Sequence, residues 1–223
     1  MIRLQSDVSI FLDALADFYA PVQLLADDEP AHYHVSINRV RGLRRWVRPQ
    51  VQFTVDGLQP FDPYPLDHAF PMYEWGLNWC IGTTAHYHLL LHSAVVEKQG
   101  RGLILPAIPG SGKSTLCAGL VSRGWRLLSD EFGVIRHSDG RVQPLPRAAP
   151  LKNESIQIIR DFAPELKLGP LFERTRKGNV VHMAPPAESL LRQDEAVSPR
   201  WVIFPSYRAG EAMALRRQSS AVA

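Results

Sequence analysis

Nine consecutive residues, Ala107-Ile108-Pro109-Gly110-Ser111-Gly112-Lys113-Ser114-Thr115, constrain this chain more than any others. An apolar, β-rich run at 102–106 precedes them, and a stretch of helical character, 115–123, follows and ends at Gly124. Apart from alanine at the first glycine position, the segment fits the pattern G-x-x-x-x-G-K-[ST]. Glycines let the backbone turn so that successive amide hydrogens point inward, and the following helix adds the positive end of its dipole. Anionic oxygens then meet fixed donors. Pro109, Gly110, Ser111, Gly112, Lys113, Ser114 and Thr115 are the candidate cradle for ATP, with Lys113 reaching the β- and γ-phosphates and Ser114 a ligand of Mg2+. The plain alternative is a Gly-Ser turn ahead of a helix, but a strand before and a helix after are the context that phosphate binding requires.

With 223 residues the chain fits one ordinary domain with at most a small lobe attached. Hydrophobic residues at 45% and charged residues at 21% are ordinary values for a globular protein, so disorder is not the leading expectation. A formal charge of +3, from 25 basic and 22 acidic residues, is too even to imply a nucleic-acid or membrane partner. Cys80 and Cys117 sit alone in apolar surroundings, as buried thiols do, which fits a reducing compartment. Asp7, Asp13 and Asp17 break any signal-peptide core, and no run approaches a membrane span of about 18 apolar residues. The expected location is the cytoplasm.

Along the chain, Val8, Phe11, Leu12, Leu15, Phe18 and Tyr19 recur at helical spacing, so 7–19 reads as a helix capped by Ser6 and stopped by Pro21. Alternation at 34–37 and 51–55, closed by Asp56-Gly57, predicts antiparallel strands. Four prolines mark 58–71 as loop. Residues 72–80 read as a buried helix despite Gly76 and Gly82. A hairpin follows, 89–97 and 102–106 about a turn at 98–101. Further strands are expected at 125–129, at 134–136 and 141–143 about Ser138-Asp139-Gly140, and at 180–183, 201–204 and 213–216, with a helix at 154–162. No closing helix ends the chain, as in a truncated core.

Seventeen positions after Lys113, the strand Trp125-Arg126-Leu127-Leu128-Ser129 delivers Asp130 and Glu131. A hydroxyl attacking a phosphoryl group needs a carboxylate to take its proton and cations to offset charge, so this pair is the candidate base and magnesium ligand. The alternative is an acidic pair opening a turn at a strand end. The run Arg123-Gly124-Trp125-Arg126-Leu127-Leu128-Ser129-Asp130-Glu131, at this distance from the loop, resembles HPr kinase/phosphorylase. His92, 21 residues before Lys113, falls where that family carries a functional histidine. The wording Glu74-Trp75-Gly76-Leu77-Asn78-Trp79, Leu89-Leu90-Leu91-His92 and Leu151-Lys152-Asn153-Glu154-Ser155 looks more like the group called HprK-related kinase A, associated in bacteria with exosortase and surface-polysaccharide clusters.

The resemblance implies an α/β fold, a P-loop kinase core of the HPr kinase/PEP carboxykinase-like type with a mixed sheet, at 71–223, and a small β-rich N-terminal α+β region at 1–70. It implies ATP-dependent transfer of a phosphoryl group to a hydroxyl of a protein serine or small molecule, with Asp130, Glu131, His92 and Lys113 catalytic. Ser114, Asp130 and Glu154 would hold Mg2+, and a homo-oligomer is expected. Glu131 stands where HPr kinase has a second aspartate, so either carboxylate can be the base. Nothing at 144–162 resembles that family's glycine-rich signature, so HPr itself is not the expected acceptor. The competing expectation is a regulatory module of a surface-polysaccharide/exosortase system that binds ATP without transferring phosphate.

Three further groups are open to two readings. His86, His88 and His92 would share a strand face and form a metal site, or they are ordinary strand histidines. Arg174, Arg176 and Lys177 would hold an anion or form a solvated loop. Arg39, Arg41, Arg44, Arg45 and Arg48 around Trp46 would suit nucleic acid or an exposed mixed face. The bland reading is the stronger for each.

Overall fold

A computed structural model describes residues 1–26, 28–42 and 46–219. The protein is mixed α/β, with several sheets and few helices. Strand β1 (Ile2–Ser6) leads into α1 (Ser9–Phe18), and then come β2 (Tyr33–Arg39), β3 (Gln50–Val55) and β4 (Tyr64–Pro65). These strands form a sheet in the order β1-β2-β3-β4, parallel between β1 and β2 and antiparallel elsewhere. Ser6 does not cap α1 in the usual way. It is the last residue of β1, although its Oγ accepts the Val8 N–H at 3.1 Å.

The segment 58–71 is more ordered than its prolines imply. Pro65 ends β4, a single 3-10 turn spans Leu66–His68, and Pro71 lies in the first turn of α2 (Ala69–Thr84), where a missing N–H costs no hydrogen bond. Helix α2 packs on the first sheet with Phe53, Phe70, Met72, Leu77 and Cys80 in a common core. Gly76 permits this approach, since a Cβ there would lie 2.1 Å from Cε2 of Phe53.

Next come β5 (His88–Lys98) and β6 (Arg101–Pro106), joined through Gln99 and Gly100 at φ 53° and 76°. Two positive φ values make this a two-residue turn whose twist matches the strands. After α3 (Lys113–Ser122) come β7 (Arg126–Ser129), β8 (Phe132–Arg136) and β9 (Val142–Gln143), which build a sheet around β5. β6 lies on one edge of β5, and β7 and β8 lie in sequence along the other. Ala94, Val96 and Leu105 face α3, whereas Val95, Ile104 and Leu128 face a separate cluster with Val142 and Val197. Burial on both faces explains the unbroken apolar run.

A three-stranded antiparallel sheet, β10 (Ala149–Lys152), β12 (Gly178–Met183) and β11 (Phe172–Thr175) in spatial order, is interleaved with α4 (Glu154–Phe162) and followed by α5 (Ala187–Leu191) and β13 (Ser198–Val202). β13 pairs with β6 in parallel and ends at Val202 rather than 204, and 213–216 is not a strand. No helix among the described residues is long and apolar enough to cross a membrane.

Candidate functional site

Both β6 and β7 run antiparallel to β5, so their C-terminal ends emerge on the same side. The loop 107–112 leaves the first, and Asp130 leaves the second. Pro109 and Gly110 are exposed at the tip. Gly110 and Gly112 adopt φ 85° and 86°, and Gly112 is the residue preceding α3. The helix begins at Lys113, two residues before the expected start, which places Lys113, Ser114 and Thr115 in its first turn. Their amides are among the donors that a helix leaves without internal partners. Ser111 accepts the Tyr207 N–H at its carbonyl, 3.1 Å, and its Oγ is buried without a partner.

Asp130 closes the site from the other side. Ser114 Oγ donates to Asp130 Oδ2 at 2.7 Å, and Lys113 Nζ lies 3.6 Å from Oδ1 and also donates to the Asp130 carbonyl. Burial pushes the Asp130 carboxyl above its ordinary pKa, with Lys113 and Ser114 opposing and Glu131 reinforcing the rise. Its Oδ1 makes no hydrogen bond. The site therefore keeps a buried carboxylate under-satisfied, as expected where a cation or donor is to be received.

The acidic pair does not open a turn. Val95 pairs with Ser129 and His92 with Phe132, so Asp130 and Glu131 stand opposite Ser93 and Ala94 with no residue inserted. β7 and β8 are thus one line of chain kinked at the two carboxylates. This places Glu131 Oε2 3.9 Å from Nδ1 of His92, whose side chain is half exposed. The Ser114 hydroxyl bonds Asp130 and His92 lies by Glu131, so the pair is divided, with Asp130 toward the loop and Glu131 toward His92.

Other expected residues fall outside this group. Glu154 opens α4, is exposed, and its side chain makes no hydrogen bond or ion pair. His86 precedes β5 in a turn, so only His88 and His92 share its face. Among the described residues, no group of three His, Cys, Asp or Glu side chains is close enough to hold a metal unaided. Arg44 and Arg45 lie outside the described residues; Arg39 uses its backbone N–H to bind Asp7. Arg176 and Lys177 form the β11–β12 turn and cover Tyr64 and Trp75, each 5.8 Å from the ring centroid.

Lys152 went unrecognised in sequence as a site residue. It ends β10, where Ser155 Oγ accepts its N–H at 2.8 Å and donates to its carbonyl at 2.7 Å. Its ammonium has no ion-pair partner, and burial lowers its pKa, with Glu131 and Asp130 opposing and Lys177 and Lys113 adding to the fall. A lysine at a strand end carries no sequence signal; only the basic residues of the β11–β12 turn could have drawn notice. A cavity of about 20 Å³ has Trp75, Asn78, Asp130, Glu131, Arg147 and His182 in its lining. Arg147 is tied to Glu74 Oε2 at 2.6 Å and to Asn78 Oδ1 at 2.7 Å. Burial lowers the pKa of His182 to about 3, so its ring is neutral, and neither ring nitrogen has a partner.

The residues present suit a magnesium nucleotide. Two left-handed glycines, a helix start, an ammonium, a hydroxyl and an under-satisfied carboxylate converge within one loop and one strand end. Comparison with family models, with curated proteins and with solved structures finds no match in any of the three.

Proposed function

We propose that this chain is an ATP-dependent phosphotransferase, with an HPr kinase-like core, that moves the γ-phosphoryl group to a hydroxyl acceptor. The observation that carries the reading is the convergence of Lys113 and Ser114, from the first turn of α3, on the Asp130 carboxylate of the neighbouring strand. A helix start, a lysine, a hydroxyl and a carboxylate are what phosphoryl transfer needs for positioning and charge compensation.

In this reading the amides of residues 110–115 hold the polyphosphate, and Lys113 turns from Asp130 toward the β- and γ-oxygens. Ser114 and Asp130 would hold magnesium, which when bound neutralises charge on the transferring group. Glu131 is the base. Asp130 is occupied by Lys113 and Ser114, whereas Glu131 is partly exposed, faces the cavity and lies beside His92. Glu131 accepts the acceptor's proton, the acceptor oxygen bonds to the γ-phosphorus, and the bond to the bridging oxygen breaks to release ADP. His92 holds Glu131 in place.

A second reading, an ATP-binding regulatory module, draws on the segment after β13. Tyr207 binds the Ser111 carbonyl, and its Cβ lies 3.1 Å from where a Gly112 Cβ would stand, so the chain covers part of the loop. Incubation with γ-labelled ATP and a metabolite and protein extract separates the two. A kinase yields a labelled acceptor that is lost in Lys113→Ala, whereas a regulatory module yields at most free phosphate.

A further inference from the structure

Lys152 and Lys177 make no side-chain ion pair with any described residue. Lys152 is half-buried and makes no side-chain hydrogen bond or ion pair. Lys177 sits at the β11–β12 turn, 5.8 Å over the ring of Trp75, and Trp75 lines the same cavity as Asp130 and Glu131. β10 and β12 are paired, with Lys152 opposite Val180, so Lys152 ends one strand and Lys177 lies in the turn that leads into its neighbour. The charge of Lys177 adds to the lowering of the Lys152 pKa. Lys177 is exposed and screened by water, whereas Lys152 is half-buried, so an anion bridging the two relieves chiefly Lys152. Asp130 is taken by Lys113 and Ser114, and Glu131 is the carboxylate that most raises the Lys152 pKa.

The cavity floor is polar as well. His182 is 1% exposed and neutral, with both ring nitrogens unpartnered, and Arg147 Nε is likewise unpartnered. At about 20 Å³, the space admits one water-sized group, such as a hydroxyl. Resting on the phosphotransferase reading above, we infer that the acceptor is an anionic hydroxy compound, whose carboxylate or phosphate is held by Lys152 and Lys177 at the cavity mouth while its hydroxyl reaches Glu131. Trp75 forms the apolar wall between them. A neutral polyol leaves the two ammonium groups unpaired, Lys152 above all, which disfavours it.

The test uses the whole chain saturated with magnesium and a non-hydrolysable ATP analogue, titrated calorimetrically with glycerate and, separately, with glycerol. Glycerate joins a carboxylate to hydroxyls, and glycerol has the hydroxyls alone. Glycerate is expected to bind and glycerol not to. Lys152→Met and Lys177→Met should each weaken glycerate binding about tenfold or more while leaving analogue affinity within about twofold. Circular dichroism of each variant checks that it folds. Equal binding of glycerate and glycerol, no binding of glycerate, or a loss of analogue affinity in the lysine variants would each overturn the assignment. If the analogue does not bind wild type, the nucleotide reading has failed instead, and the same titration without it still decides whether the lysine pair selects the anion.

Discussion

Ser114 Oγ donates a 2.7 Å hydrogen bond to Oδ2 of Asp130, a carboxylate that is 4% exposed and whose other oxygen makes no hydrogen bond. Burial outweighs the help from Lys113, so the folded chain binds the Asp130 proton more tightly than the unfolded chain does. Folded-state stability therefore falls as pH rises from the ordinary value of 3.8 through the raised one. Asp130→Asn should raise the Tm at pH 7, by a margin that shrinks toward pH 4, while ending transfer. Thermal melts across that range check the sign; a lower Tm at pH 7 would refute it.

Glu131→Gln is expected to lower the transfer rate about a hundredfold or more with ATP affinity little changed, because it removes only the proton acceptor. His92→Gln, acting through Glu131 at 3.9 Å, should give a smaller loss, and the rate should fall no further when it is added to Glu131→Gln. Single-turnover rates of the two variants and their combination measure this.

Lys113→Ala should weaken magnesium-ATP binding at least about tenfold, since it deletes a charge-assisted contact to the phosphates. It also strips the nearest cation from a buried carboxylate. A lower Tm in the nucleotide-free protein is thus expected alongside the lost affinity, read by calorimetry and melting.

Gly76→Ala and Gly82→Ala should move stability in opposite directions. An alanine inside a helix gains up to about 1 kcal/mol over glycine. At Gly82 the new methyl meets Phe132 at 3.5 Å, ordinary contact, so the gain is kept. At Gly76 it would lie 2.1 Å from the Phe53 ring, and overpacking costs about 1–3 kcal/mol. Urea midpoints compare the two.

Arg147→Met should destabilise by about 3–5 kcal/mol because it strands the Glu74 carboxylate, and Glu74→Leu in the same chain should recover most of that loss. Denaturant melts of the singles and the double give the cycle. The tie between α2 and the segment before β10 rests on this pair and on Tyr19, whose hydroxyl donates to Glu74 at 2.7 Å.

The central hairpin and loop were legible because their signals are local. The β5–β6 turn needs residues tolerant of positive φ, and α4 begins where Asn153 and Glu154 permit it. The acidic pair was found by spacing, but its division into an inner and an outer carboxylate was not, since that follows from strand register with β5. β1 and β11 escaped notice because each is short and defined by its partner strand. Lys152 and the His182–Arg147 floor come from β10 and β12 meeting across about thirty residues of chain, which no short pattern encodes.

β5 hydrogen-bonds the strand that feeds the loop along one edge and the kinked acid-bearing line along the other, and it carries His92 itself. A slip of one residue would turn His92 and its alternating neighbours to the opposite face. Recombination breakpoints inside 88–136 should therefore yield inactive chimeras even between well-folded parents. The tip at Arg176 and Lys177, outside that block, is where laboratory evolution can diversify acceptor choice without disturbing the shared register.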